Sequence, residues 1–163
     1  ELLLRAFALV HETRPDALLV LTGGEAHSES RLSALARELR ISDAVRRTGR
    51  IPARDVDVLY RGAVALAFPS LYEGFGLPPL EAMAHETPVV TSNVSSLPEV
   101  AGDGALLVDP YDVHAIADGL RRVVTDEALR QDLIARGRAR AREFSWPKAA
   151  AATLQVYRQV LGT

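Results

Sequence analysis

Short, almost wholly apolar runs alternate with amphipathic helical segments along this chain, and that alternation restricts the fold more than any other feature. Residues 17–22, 63–68, 87–91 and 105–108 form such runs, and residues 44–48 form a weaker one. Several close on Gly, Ser or Thr, as at Gly23-Gly24, Gly49, Ser70 and Ser92. A strand that is apolar throughout, rather than at every second position, is expected to be buried on both faces, as in a parallel sheet. Between the runs the apolar residues take helical spacing. Leu3, Leu4, Phe7, Ala8 and Val10 give a helix over 2–14 that Pro15 stops. Leu32, Leu35, Ala36 and Leu39 give a second, capped by Ser28 or Ser30, and Val56, Leu59 and Tyr60 mark the inward face of a third over 54–61. Asp112 can cap a helix carrying Ile116, Leu120, Val123 and Val124, and two more follow at about 126–142 and 147–161, separated by Ser145-Trp146-Pro147. The order implies right-handed crossovers and an α/β fold, a doubly wound parallel sheet closed by three helices. The first strand of such a sheet is usually central, so a chain opening on a helix reads as one whose first strand precedes Glu1.

The 163 residues suffice for one domain with its own core, and the 48% hydrophobic and 25% charged fractions are those of an ordinary globular chain. A net charge of -2 gives no global reason to expect nucleic acid as a partner. The arginines of residues 136–142 spread around a helix and read as a solvated face. No cysteine is present, which removes disulfides, cysteine nucleophiles and thiolate metal sites together. His11, His27, His85 and His114 lack metal-ligand spacing, so no metal is expected. A GxSxG elbow, a phosphate loop ending in GK[ST] and a complete GxGxxG are all missing, and the sole lysine, Lys148, falls in the last helix. No apolar run reaches the roughly 18 residues that span a bilayer, and no signal peptide is visible. A cytoplasmic setting is the expectation.

The chemistry concentrates in residues 68–84, where the run at 63–68 leaves its strand and a new helix begins. Gly74-Phe75-Gly76 can turn backbone N–H groups outward without Cβ obstruction, and a helix start behind them favours an anion such as phosphate. Glu73 and Glu81 lie eight residues apart, one in the loop and one in the helix, and a carboxylate is suited to accept hydrogen bonds from a sugar diol. The plain alternative is a loop-to-helix turn with Pro78 and Pro79 at the first helical positions. Spacing alone leaves both open. Glu99 reads as a brace for a short helical turn over 97–100, and Trp146 as a core or interdomain anchor.

Residues 69–84, Pro-Ser-Leu-Tyr-Glu-Gly-Phe-Gly-Leu-Pro-Pro-Leu-Glu-Ala-Met-Ala, closely resemble the E-x7-E signature of the family 4, or group 1, retaining glycosyltransferases. Segments 21–24, 48–51, 87–92, 97–105, 108–110 and 144–146 are similar to the family's other segments in the same order, so the resemblance covers nearly the whole chain. It implies the Rossmann-like, C-terminal, donor-binding half of a two-domain GT-B enzyme, with residues 1–163 as that single domain and the N-terminal acceptor domain absent. Glu81 would hold the ribose hydroxyls of a nucleotide-diphosphate sugar, and Glu73 would lie by the transferred sugar as the catalytic carboxylate. The amides of Gly74, Phe75, Gly76 and Leu77 would meet sugar and diphosphate, and Arg50 and Ile51 would meet the base through their backbone. Neither metal nor cofactor is implied.

The resemblance also implies what is lacking. The family's arginine and lysine that neutralise the diphosphate would precede Glu1, and Lys148 cannot replace them. The expected function is transfer of a hexose, mannose or glucose, to a saccharide or lipid-linked acceptor, with contact to the inner membrane surface, if any, through the other domain. The 163 residues alone are expected to bind donor weakly and to transfer nothing. The alternatives are a GT-B relative such as a nucleotide-sugar epimerase and a non-catalytic sugar-nucleotide-binding module.

Overall fold

The computed structural model describes residues 1–23 and 29–162, without the side chain of Glu29. Gly24, His27 and the proposed cap Ser28 lie outside the described residues. The order is α1 (Leu2–Thr13), β1 (Leu19–Thr22), α2 (Glu29–Glu38), a short 3₁₀ turn, β2 (Val45–Gly49), α3 (Ala53–Gly62), β3 (Leu66–Phe68), α4 (Leu77–Ala84), β4 (Val89–Ser92), α5 (Leu97–Ala101), β5 (Leu106–Val108), α6 (Val113–Thr125), α7 (Glu127–Ala141) and α8 (Trp146–Leu161). Ser30 sits inside α2 rather than at its cap. Asp112 does cap α6, its carboxylate accepting from the amides of His114 at 2.8 Å and Ala115 at 3.2 Å.

All strand pairs are parallel, in two groups: β1 with β2, and β3-β4-β5 in that order. β4 is central in the larger group, and all four of its residues are buried. Val90 joins the core formed with α1 and α6, whereas Val89 joins the core formed with α4 and α5, so the period of a strand feeds two layers at once. α1 links the two strand groups. Its Ala6 and Val10 pack with Val90, Val108 and Ile116. Its Leu4 and Phe7 pack with Leu35, Ala36 and Ile41 beside β1 and β2.

The expectation of uniform burial fails in three strands, β1, β3 and β5, the last with Leu107 36% exposed. β1 alternates in burial, with Val20 42% exposed, and β3 is only half-buried and starts at Leu66, leaving Val64 49% exposed. Among the described residues β1 hydrogen-bonds only to β2, and β3 only to β4. Each therefore lacks a neighbour on one side, whereas β4 has one on both. A continuous apolar run marks a strand built for two-sided burial, and here the described neighbours supply less than that.

α6 crosses the sheet at Gly119. A Cβ there would stand 2.7 Å from Val108 Cγ1 and 3.2 Å from Val90 Cγ1, against stiff β-branched side chains on two strands. Gly119→Ala is expected to destabilise by about 1–2 kcal/mol, overpacking outweighing the gain in helix propensity. A thermal melt checks it: Tm should fall by roughly 3–6 °C.

α8 departs from the rest. None of its residues is buried, and Trp146 at 79% exposure is not the core anchor the sequence allowed. Lys148 instead donates from Nζ to the carbonyls of Arg142 (3.2 Å) and Glu143 (3.0 Å), satisfying acceptors just past the end of α7.

Candidate donor site

β3 ends at Phe68, and the chain turns at once, the Ser70 amide donating to the Phe68 carbonyl at 2.9 Å. β4 holds that turn with two fully buried hydroxyls. Thr91 Oγ1 donates to Phe68 O (2.9 Å) and Ser92 Oγ to Ser70 O (2.6 Å). Because β3 and β4 are parallel, the loops leaving their C-terminal ends meet. Ser95 Oγ donates to Glu73 O at 2.9 Å and accepts from the Glu73 amide at 3.2 Å, while Ser96 Oγ donates to Glu73 O (2.9 Å) and Phe75 O (2.8 Å). Ser95 takes φ of 60°, an uncommon value for a residue with a Cβ, and this strain buys the two-way clamp on Glu73.

This clamp leaves Glu73 half-buried, its Oε1 accepting from Ser70 Oγ at 2.8 Å. The Phe75 ring packs edge-on to Phe144 at 5.8 Å. Gly76, at φ 114°, is the residue from which α4 starts, and Pro78 and Pro79 follow inside the first turn. Among the described residues no acceptor faces the amides of Gly74, Phe75, Gly76 or Leu77. Pro78 and Pro79 contribute no N–H, so Gly76 and Leu77 are the donors of the helix start, and Gly74 and Phe75 add two amides from the loop before it. An anion is what such a cluster suits, aided by the helix dipole.

Glu81 is exposed on α4, and its Oε2 accepts from Tyr60 Oη of α3 at 3.2 Å. Glu73 through Leu77 and Glu81 thus follow one another from strand end into helix, as the spacing suggested. Arg50 and Ile51 lie past the end of β2, Arg50 exposed and Ile51 half-buried, and among the described residues no hydrogen bond joins them to the 70–77 loop. Glu99 is exposed, and its backbone carbonyl accepts from Arg140, which also donates to Val100 O and lies over the Phe144 ring at 4.7 Å. Arg140 is therefore a structural tie rather than part of a solvated face. Among the described residues no group of three or more His, Asp or Glu could hold a metal ion. No described helix is long and apolar enough to cross a membrane.

The serine clamp and Tyr60 are the site residues that sequence reasoning missed. Ser95 and Ser96 fall in a polar stretch, Ser92 to Ser96, after a strand, but nothing in the spacing tells which backbone they hold.

The family model of glycosyl transferases group 1 matches residues 1–140. The chain belongs to the group 1 glycosyltransferases. It is 41% identical to the O-antigen chain mannosyltransferase B of Escherichia coli over 96% of its own length and 41% of that protein's. It is 39% identical to the MMP alpha-(1->4)-mannosyltransferase of Mycolicibacterium hassiacum, over 98% of this chain and 39% of the relative. Among solved structures, the sucrose-phosphate synthase of Thermosynechococcus elongatus superimposes with a TM-score of 0.85 at 32% identity, over 98% of this chain and 42% of that one. The chain thus spans about two fifths of the length of the curated relatives it matches.

Proposed function

We propose that these residues form the donor-binding domain of a retaining hexosyltransferase, which takes a nucleotide-diphosphate sugar and moves its hexose to a saccharide or lipid-linked acceptor. The single observation that carries the reading is the run of four partnerless amides at Gly74–Leu77, bracketed by Glu73 and Glu81. As the bond to the departing diphosphate breaks, negative charge grows on its oxygens, and prepositioned amides at a helix start stabilise that charge without reorganising. Glu73, fixed by serines beside those amides, faces the transferred sugar. Glu81 accepts hydrogen bonds from the ribose, and the Arg50-Ile51 backbone meets the base. The mechanism uses neither a metal nor a cofactor. Mannose is the favoured hexose, since both curated relatives named above are mannosyltransferases at about two-fifths identity.

A second, acceptor-binding domain of the same enzyme completes the site in this reading, with a cytosolic setting and any membrane contact made through that domain. The exposed α8, carrying Trp146, Leu154, Tyr157 and Leu161, supports such a neighbour.

A thermal-shift series with UDP-, GDP- and ADP-sugars on the whole protein tests the reading. One base should raise Tm by several degrees, since ligand at 100 times Kd adds about 2.7 kcal/mol. Glu81→Ala should abolish the shift, and the 163 residues alone should show little of it. A whole protein that no nucleotide sugar stabilises overturns the proposal.

A further inference from the structure

Tyr60 was expected only to face the core, yet its hydroxyl leaves the core and ends on Glu81. The residues around it are arranged by helical spacing on two neighbouring helices. Asp57, Tyr60 and Arg61 share one side of α3, while Glu81 and His85 lie four apart on and just past α4. The His85 ring stacks on Tyr60 at 5.8 Å with an interplanar angle of 20°. His85 is itself held at both nitrogens, Nδ1 accepting from Arg61 Nε at 3.4 Å and Nε2 lying 3.1 Å from Asp57 Oδ1. The backbone of Tyr60 is fixed too, its carbonyl accepting from the buried Thr87 Oγ1 at 2.7 Å. The ring is thereby pinned, and the hydroxyl has one place to go.

We propose that Tyr60 is a positioning residue for the donor nucleotide. By donating to Glu81 Oε2 it fixes the carboxylate rotamer and leaves Oε1 free to accept from a ribose hydroxyl. The inference rests on the proposed role of Glu81. Free in solution, a glutamate side chain on a helix surface samples several rotamers and loses that freedom on binding. A tyrosine anchor removes the loss beforehand and shows as affinity. Burial first, and then the Glu81 charge, push the Tyr60 hydroxyl well above the ordinary tyrosine range, so it stays a donor throughout the neutral and mildly alkaline range.

The test measures calorimetric affinity of the whole protein for UDP, GDP and ADP, then compares the best binder with its 2′,3′-dideoxy counterpart. Wild type, Tyr60→Phe, Glu81→Gln and the double variant are compared. Wild type should prefer the ribose form, and Glu81→Gln should erase the preference. Tyr60→Phe, which keeps the stacked ring, should weaken the ribose form about fivefold, the scale of one hydrogen bond, and leave the dideoxy form unchanged. In the Glu81→Gln background it should add nothing. In turnover it should raise donor KM with kcat preserved. If Tyr60→Phe binds both forms as wild type does, or weakens both equally, the inference fails while the Glu81 reading stands. If wild type shows no ribose preference, or no diphosphate binds, the Glu81 reading fails and takes the inference with it.

Discussion

Gly76→Ala is expected to cost about 2 kcal/mol of stability and to weaken nucleotide-diphosphate binding by at least tenfold, whereas Gly74→Ala leaves stability almost unchanged. The two glycines look equivalent in sequence and are not. Gly76 sits at φ 114°, where an L side chain is strained whatever space surrounds it, and a Cβ would stand 2.8 Å from Cδ2 of the fully buried Leu97. Off-region backbone of this kind costs of order 1–3 kcal/mol, against which the lower entropy of an unfolded alanine returns about 0.4–1 kcal/mol. Relief would come from rotating the peptide between Gly76 and Leu77, which swings an amide away from its neighbours at the start of α4. Gly74 has no positive φ, and its Cβ would meet nothing within 4 Å. Its open side is where a ligand would approach. Thermal melts and diphosphate titrations of both variants in the whole protein separate the cases. A Gly76→Ala protein as stable and as tightly binding as wild type would contradict this account of the loop.

That contrast also shows what can and cannot be read from sequence here. The element order and the parallel pairing were legible because each strand is a short apolar run and each helix repeats on its own period. Asp112 was legible as a cap because capping is local. The burial of β1 and β3 was not, since composition reports what a strand is suited to, while exposure depends on which neighbours lie beside it. Val20 and Val89 are the same residue type in similar runs, yet one is 42% exposed and the other fully buried. At the site, Glu73, Gly74–Leu77 and Glu81 stood out because they lie within nine residues of one another. Ser95 and Ser96 act on the loop, and Tyr60 on Glu81, from over twenty residues away along the chain, and separations of that kind leave no periodic trace.

Arg140 makes the same point from the opposite direction. In sequence it is one of several arginines spaced along a helix, indistinguishable from Arg136 or Arg138. In the fold it reaches the carbonyls of Glu99 and Val100 and covers the Phe144 ring, tying α7 to the helix behind the serine loop. Phe144 in turn receives the edge of Phe75. The loop at 73–77 is thus held from two sides, by the serines through its backbone and by this stack through the Phe75 ring. Such a loop can present its amides in a fixed direction before ligand arrives, the preorganisation that electrostatic catalysis needs.

Glu73→Gln in the whole protein is expected to lower kcat by about 10²–10³-fold, the loss typical of removing one preorganised electrostatic group, with nucleotide affinity retained. Glutamine keeps the size and one carbonyl oxygen, so it can still accept from Ser70 Oγ, and the clamp on the Glu73 backbone involves no carboxylate oxygen. The loop should therefore hold its shape, and what disappears is the negative charge that the proposed function sets beside the transferred sugar. The two glutamates should then separate kinetically under the proposed function, which sets one carboxylate at the reacting centre and the other on the ribose: Glu73 variants lose kcat, while Glu81 variants raise donor KM. The Ser95 hydroxyl offers an internal control, since Ser95→Ala keeps the Glu73 charge but removes the two bonds that Oγ makes with the Glu73 backbone, and should fall between wild type and Glu73→Gln. Steady-state kinetics with the donor identified by thermal shift decides it. Wild-type turnover in Glu73→Gln would leave the amide cluster and Glu81 as a binding site and move the catalytic role off this loop.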